Sequence, residues 1–360
     1  MSSELLADLP ATHGYALVGP HIAVAGRGVA ERFRPSDPTR RFTQAAQWVN
    51  AHLGEEDLAF MSFTFDPLDP GSEIVRCAQV AEVYTNGHID EPVVRPSTTL
   101  DGDDASQFKY MVRQAVQRLT NGELEKVVLS RTIDLPAKGV TVPMFASALH
   151  DAFPMCLTYV HDQFVGASPE VLLRRRGGET TSLVLAGSAP VQDAERLRKS
   201  KKDLNEHVIA RDSVANALGG FTAQIDIDDE PFILRLPNVA HLASHVRATI
   251  DPAVHTMTIL DALHPTAAVC GTPREAALGV IRALEPESRH QFAGPTGVIR
   301  GNGDADIALA LRCVRFGPGN TARAHVGCGI MPDSDPDAEA NETRLKVAAV
   351  ANVIADLRTD

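Results

Sequence analysis

No stretch of this 360-residue chain approaches the roughly 20 consecutive apolar residues of a membrane span. Its start, MSSELLADLPATHGYALVGP, has no basic segment leading into an apolar one. A membrane protein and a secreted one are therefore both disfavoured, and a cytoplasmic location is expected. Positive charge is also short: the net charge is -12 at pH 7, so the average surface repels phosphate backbones and anionic headgroups, and neither nucleic acid nor membrane is an expected partner. Cysteine is sparse, with five residues (Cys77, Cys156, Cys270, Cys313, Cys328) and no CxxC pair. That odd, scattered set fits neither a disulfide framework nor a zinc knuckle, and buried free thiols are expected.

Other absences are local. His241 and His245 in HLASH have helical metal spacing, but NVAHLASHVRATI alternates like a strand and lacks the Glu of HExxH, so no zinc site is expected there. GRGVAE opens like a dinucleotide-binding loop, yet Glu31 stands where the third glycine belongs. No internal repeat or low-complexity linker divides the chain. A single domain over residues 1–360 is expected, with residues 1–100 a variable first part that adds strands to a shared core and residues 101–360 carrying the chemistry.

What is present is ordinary globular material, 44% hydrophobic and 22% charged. YALVGPHIAVAG and EDLAFMSFTF are broken by Gly and Pro and predict strands. DDASQFKYMVRQAVQRLTNGE sets Phe108, Met111, Val112, Ala115, Val116 and Leu119 on one helical stripe, with Gly122 as a stop. EKVVLSR, CLTYVHD, QFVGASPEVLLRRR and TTSLVLAGSA predict strands in hairpins. One long helix is predicted from Asp193 to Gly219, and another begins with Thr272 as N-cap before Pro273. Gly301-Asn302-Gly303-Asp304 turns a hairpin between GPTGVIR and a strand DIALALRCVRF, and Asp335-Pro336 starts a last helix that ends near Leu357. The fold class is α+β, with two sheets flanked by helices.

Several of these elements carry groups suited to chemistry. Lys126 precedes the apolar run Val127-Val128-Leu129, which turns its ammonium toward a sheet face. A lysine snorkelling at a strand edge is the plainer account, and a base tuned by desolvation the functional one. Glu170, between Ser-Pro and an apolar strand, is either a turn cap or a carboxyl kept neutral by burial and able to give up a proton. Glu339 and Glu342 share a helix face near its N-terminus, where the dipole favours negative charge. Together with Glu206 they could also offer oxygen ligands to a hard cation. The glycines of LAGSA (Gly187) and HVGCGI (Gly327, Gly329) permit close approach to the backbone. Arg312 in LALRCV needs an anion, from the protein or from a substrate.

In order and wording, the blocks KVVLSR, GASPEVLL, LAGSA, KKDLNEH, LHPT, ALRC and GCGIMPDSDPDAEANET, spread from residue 126 to 343, resemble the chorismate-utilising enzymes. That group contains the isochorismate, salicylate, anthranilate and aminodeoxychorismate synthases. The resemblance implies an α+β fold of two large antiparallel β-sheets packed as a sandwich with helices outside, and chorismate as substrate. It implies Lys126 as the base that activates water and Glu170 as the acid that protonates the departing hydroxyl. It further implies Mg²⁺ held by Glu206 and Glu342, with Glu339 nearby or acting through water, and substrate contacts from Gly187, His241, Arg312, Gly327 and Lys346.

Finer positions separate reactions within the group. Ammonia-using relatives usually lack a lysine at position 126, so water is the implied nucleophile, and no glutaminase subunit is then needed. Relatives that eliminate pyruvate tend to carry Thr at the position of Ala268, and salicylate synthases Tyr at that of Phe292. Ala and Phe resemble the isochorismate synthases, and Leu311 the salicylate type. The expected product is isochorismate, for menaquinone, salicylate or siderophore synthesis, from a monomer. A salicylate synthase and a silent chorismate- or metal-binding relative are the alternatives. Ala340 replaces a frequent Trp, and LNEH replaces the usual arginine or histidine neighbours.

Overall fold

The computed structural model describes residues 2–83, 85 and 103–358; the expected boundary at residues 100–101 lies outside them. In chain order the elements are α1 (Ser2–Ala7), β1 (Gly14–Gly19), β2 (Ile22–Phe33), α2 (Arg41–His52), β3 (Leu58–Ser62), β4 (Glu73–Glu82), α3 (Ser106–Thr120), β5 (Lys126–Pro136) and α4 (Val142–Ala152). Next come β6 (Leu157–His161), β7 (Phe164–Ser168), β8 (Val171–Arg176), β9 (Glu179–Pro190), α5 (Lys201–Gly219), β10 (Ile225–Ile227), β11 (Phe232–Arg235), β12 (Val239–Thr249) and α6 (Thr256–Leu263). The chain closes with β13 (Gly271–Thr272), α7 (Arg274–Leu284), β14 (Pro295–Arg300), β15 (Ala305–Leu309), β16 (Cys313–Gly317), β17 (Thr321–Ile330) and α8 (Pro336–Leu357).

All these strands pair antiparallel in one succession: β13, β5, β17, β16, β7, β6, β1, β2, β4, β3, β14, β15, β8, β9, β12. β10 and β11 lie end to end along the far edge of β12. The ribbon folds back on itself, so that Tyr15 of β1 packs its ring 5.9 Å from that of Phe60 of β3. The mixed α+β fold with large antiparallel sheet layers is thus as expected. The hydrogen-bonding adds that the two layers are continuous through β2 and β4. Strands from the first hundred residues take part directly, β1 beside β6 and β3 beside β14.

Local signals account for most elements. The predicted stripe of α3 buries Phe108, Met111, Val112, Ala115 and Leu119, and Gly122 takes φ +76°, a conformation costly for any residue with a Cβ. Asp335 caps α8 by accepting from the backbone N–H of Asp337 and Ala338, with Pro336 at the first turn. Val347, Val350 and Ile354 of α8 join Phe145 and Leu149 of α4 in a second core, each large side chain adding about 1.5–3 kcal/mol on burial. All five cysteines are free and buried.

Four expectations change. α1 and α2 lie in the first hundred residues, where only strands were expected, and α2 buries Phe42, Ala45, Trp48 and Val49 on one face. The helix predicted from Asp193 is interrupted: Val191–Lys199 winds as a 3₁₀ helix, and α5 starts afresh with Ser200 as N-cap, its hydroxyl accepting from the N–H of Asp203. Thr272 does not cap α7, because its backbone is committed to pairing with Lys126, and the N-cap is Pro273.

The fourth change places the site. QFVGASPEVLLRRR is two strands serving opposite parts of the ribbon: β7 pairs with β6 and β16, whereas β8 pairs with β9 and β15. Pro169 has no N–H with which to continue the ladder, and Glu170 falls on the crossing. DIALALRCVRF divides likewise into β15 and β16, so Arg312 is not inside a strand but between two, at φ +47°. The crossings are hydrogen-bonded to their neighbours: Ala167 donates to the carbonyl of Arg312 at 3.3 Å, and Leu309 to that of Glu170 at 3.2 Å.

Candidate active site

Beside the two crossings opens a cavity of about 810 Å³, counted to its open mouth. Of the thirteen residues that the resemblance places at the site, ten line it: Glu170, Gly187, Glu206, His241, Ala268, Phe292, Leu311, Arg312, Gly327 and Lys346, and Gly329 lines it as well. Lys126, Glu339 and Glu342 stand behind that wall, each linked to it through an ion pair or a contact described below.

Glu170 is 5% exposed. Burial pushes its carboxyl up to about 8, against the opposing pull of a hydrogen bond from the Leu185 N–H and the charges of Lys126, Lys346 and Arg312. At neutral pH it is an acid with a proton to give.

Arg312 extends into the same space. One terminal N–H donates to His241 Nε2 at 2.8 Å, and its Nε is buried without a partner among the described residues. Burial first, then Arg312 and Lys346, hold His241 well below the ordinary histidine range, so the ring is neutral. Because Nε2 accepts, Nδ1 carries the proton and donates to the Gly187 carbonyl at 3.2 Å. Gly187 itself is the extra residue of a bulge, at φ +72°, where β9 slips against β12 between Ser188 and Ala186. A buried guanidinium with an unsatisfied N–H beside a neutral histidine suits an anion, and a carboxylate meets that need.

At the other end the charges reverse. Lys126, 0% exposed, lies with Nζ 3.1 Å from Glu206 Oε1, an ion pair that lacks the alignment of a hydrogen bond. Gly329 is moulded to this pair: a Cβ there would fall 2.1 Å from Glu206 Oε1 and 3.0 Å from Lys126 Cε. Lys346 Nζ is 2.7 Å from Glu342 Oε1 and donates to the Gly327 carbonyl at 3.1 Å. Lys202 Nζ is 2.6 Å from Glu339 Oε1. Ligand atoms of Glu339, Glu342 and Cys328 lie within 4.8 Å of one another. Burial and then the neighbouring Glu342 raise Glu339 above the usual carboxylate range. Glu206 is not part of that group, but the two clustered carboxylates suit a hard divalent cation. The Cys328 thiol, pushed well above its ordinary value by burial, is a poor oxygen substitute for such an ion.

Sequence reasoning missed Arg289, His325 and Lys202. Arg289 and His325 line the cavity. Arg289 donates to the carbonyls of Val269 and Val128 and stacks 4.2 Å over Phe65, so it braces the wall. His325 faces Phe292, ring centroids 5.5 Å apart, and is pushed down to about 3 by burial and then by His290 and three arginines. Neither has a distinctive local pattern. Lys202 stood inside the quoted KKDLNEH block, and its partner, 137 residues away, gave no local sign.

The sequence profile described as chorismate binding enzyme matches residues 74–355. The salicylate biosynthesis isochorismate synthase of Pseudomonas aeruginosa is 32% identical over 317 residues, 85% of this chain and 64% of that protein. The isochorismate synthase DhbC of Bacillus subtilis is 32% identical over 270 residues, 68% of this chain and 66% of the other. The chain thus spans slightly under two thirds of the length of each. The crystal structure of DhbC from Bacillus anthracis, 25% identical, superposes with a TM-score of 0.87 over 99% of this chain and 100% of that one. No helix among the described residues is long and apolar enough to cross a membrane.

Proposed function

Since the chain belongs to the chorismate-binding enzyme family, we propose that it is an isochorismate synthase that converts chorismate to isochorismate reversibly. The observation that carries this reading is Glu170, a carboxyl kept protonated on the cavity wall that also presents Arg312. An acid poised to protonate a departing hydroxyl is what the reaction requires. Water adds its oxygen at C2, the ring double bonds shift, and the C4–O bond breaks. Lys126, acting in its neutral amine form, takes the proton of the incoming water, and Glu170 gives its own to the hydroxyl that leaves as water. Arg312 and the Gly327 strand end hold the enolpyruvyl carboxylate, with His241 fixing the guanidinium. Ala268, Phe292 and Leu311 form the apolar wall against the ring.

Glu206, Glu339 and Glu342 would hold Mg²⁺, which when bound supplies positive charge to the ring carboxylate. In this reading residues 1–360 act as one domain, a cytoplasmic monomer without a glutaminase subunit, supplying menaquinone, salicylate or siderophore synthesis. Incubation with chorismate and Mg²⁺, with and without EDTA, followed by chromatography, tests it. Isochorismate formed only with metal is expected. Salicylate with pyruvate would make the chain a salicylate synthase, and untouched chorismate would leave a silent binding relative.

A further inference from the structure

Among the carboxylates read above as the cation's ligands, Glu339 is the most deeply enclosed, its side chain 2% exposed. Its Oε1 accepts a 2.6 Å hydrogen bond from Lys202. Lys202 Nζ and this carboxylate form an ion pair across 137 positions of sequence. The ammonium thus sits on an oxygen that a divalent ion would use.

The three lysine partners differ in freedom. Lys126 is 0% exposed and hemmed in by Gly329. Lys346 is held by a second acceptor, the Gly327 carbonyl. Lys202 is 29% exposed and has no second acceptor among the described residues, so it has a path to water. It sits in the first turn of α5, just after the 3₁₀ segment ends at Ser200. That turn is pinned at the next residue, where Asp203 packs so closely that a Cβ on Gly187 would be 3.0 Å from its Cβ. Lys202 can swing at its side chain while its backbone stays put.

We propose that Lys202 is an exchangeable internal counter-cation that competes with the divalent ion for Glu339 and thereby sets the metal concentration at which the site fills. The inference rests on reading Glu339 as a ligand, and the same experiment separates the two. Mg²⁺ binding to the chelator-stripped full-length protein is measured by calorimetry, without substrate, for the parent chain, Lys202→Met and Lys202→Arg. Met removes the competitor and keeps the apolar stem, so Mg²⁺ should bind roughly fivefold tighter, the scale of a part-exposed ion pair. Arg retains the charge in a fork that grips a carboxylate at two points, so its affinity should equal or fall below that of the parent.

Thermal melting supplies a second readout. Lys202→Met leaves Glu339 unpaired, so it should melt below the parent without metal and gain more from saturating Mg²⁺. Unchanged or weaker binding in Lys202→Met overturns the proposal, as does tighter binding in Lys202→Arg. If Lys202→Met does not fold, Lys202→Gln, which also removes the charge, takes its place, with tighter Mg²⁺ binding expected and unchanged or weaker binding overturning the proposal. If Glu339→Gln binds Mg²⁺ as the parent does, the ligand assignment fails and the competition with it.

Discussion

Lys126 and Glu206, 80 positions apart in sequence, meet at 3.1 Å over Gly329. The pair is matched in charge and enclosed, and removing one partner strands the other. Lys126→Ala should lower turnover by roughly two orders of magnitude or more, as loss of a general base does. Leaving Glu206 enclosed without its cation should also cost about 3 kcal/mol of stability, to be read from urea unfolding. Full turnover in a folded variant would remove Lys126 from the mechanism.

Gly329→Ala probes the same floor sterically. Its methyl would meet Glu206 Oε1 at 2.1 Å, so the carboxylate must move. A loss of about 1–3 kcal/mol is expected from the overpacking, with weaker Mg²⁺ binding and lower turnover. Wild-type kinetics with wild-type melting would show that Glu206 can shift without consequence.

The raised pKa of Glu170 fixes the sign of a pH effect. The carboxyl titrates near 4.5 when exposed and near 8 in the fold. Between those values the native state binds the extra proton, so this group's contribution to stability is full below about 4.5 and is lost as pH rises toward about 8. Turnover should decline above about 8 as the acid loses its proton. Glu170→Gln should remove that limb, flatten the corresponding stability change, and slow the reaction by roughly a hundredfold or more. A pH-rate profile that keeps the limb in the Gln variant would place the titration elsewhere.

Arg312 is held by His241 and has a buried Nε with no acceptor among the described residues. Arg312→Lys keeps the charge and loses the fork. KM for chorismate should rise about tenfold, with a smaller change in kcat, as expected when one charge-assisted contact common to ground and transition states is lost. An equal fall in kcat with KM unchanged would mean that the contact forms in the transition state alone.

Glu342→Ala should act chiefly through the metal. Half-maximal activity should need at least several times more Mg²⁺, and high Mg²⁺ should restore part of the rate. Normal metal binding in a folded but inactive variant would assign Glu342 another role.

Elements whose causes lie within a few residues were legible in the sequence. The stripe of α3, the turn at Gly301-Asn302-Gly303-Asp304 and the Asp335 cap depend on near neighbours, and each formed where its pattern stood. The helix expected from Asp193 failed at Ser200 because a hydroxyl with a free N–H to cap can restart a helix inside a helical pattern. The resemblance in the motif blocks brought together ten cavity residues, because it carries the outcome of long-range packing that periodicity does not. What tertiary structure alone decided is how the charges are shared. Lys126 with Glu206, Lys346 with Glu342 and Lys202 with Glu339 form where β5, β17, α5 and α8 converge. The proton on Glu170 comes from enclosure at a crossing between strands. Burial and Coulomb energy depend on distance through space, and residues far apart in the chain acquire that distance only when the ribbon folds back on itself.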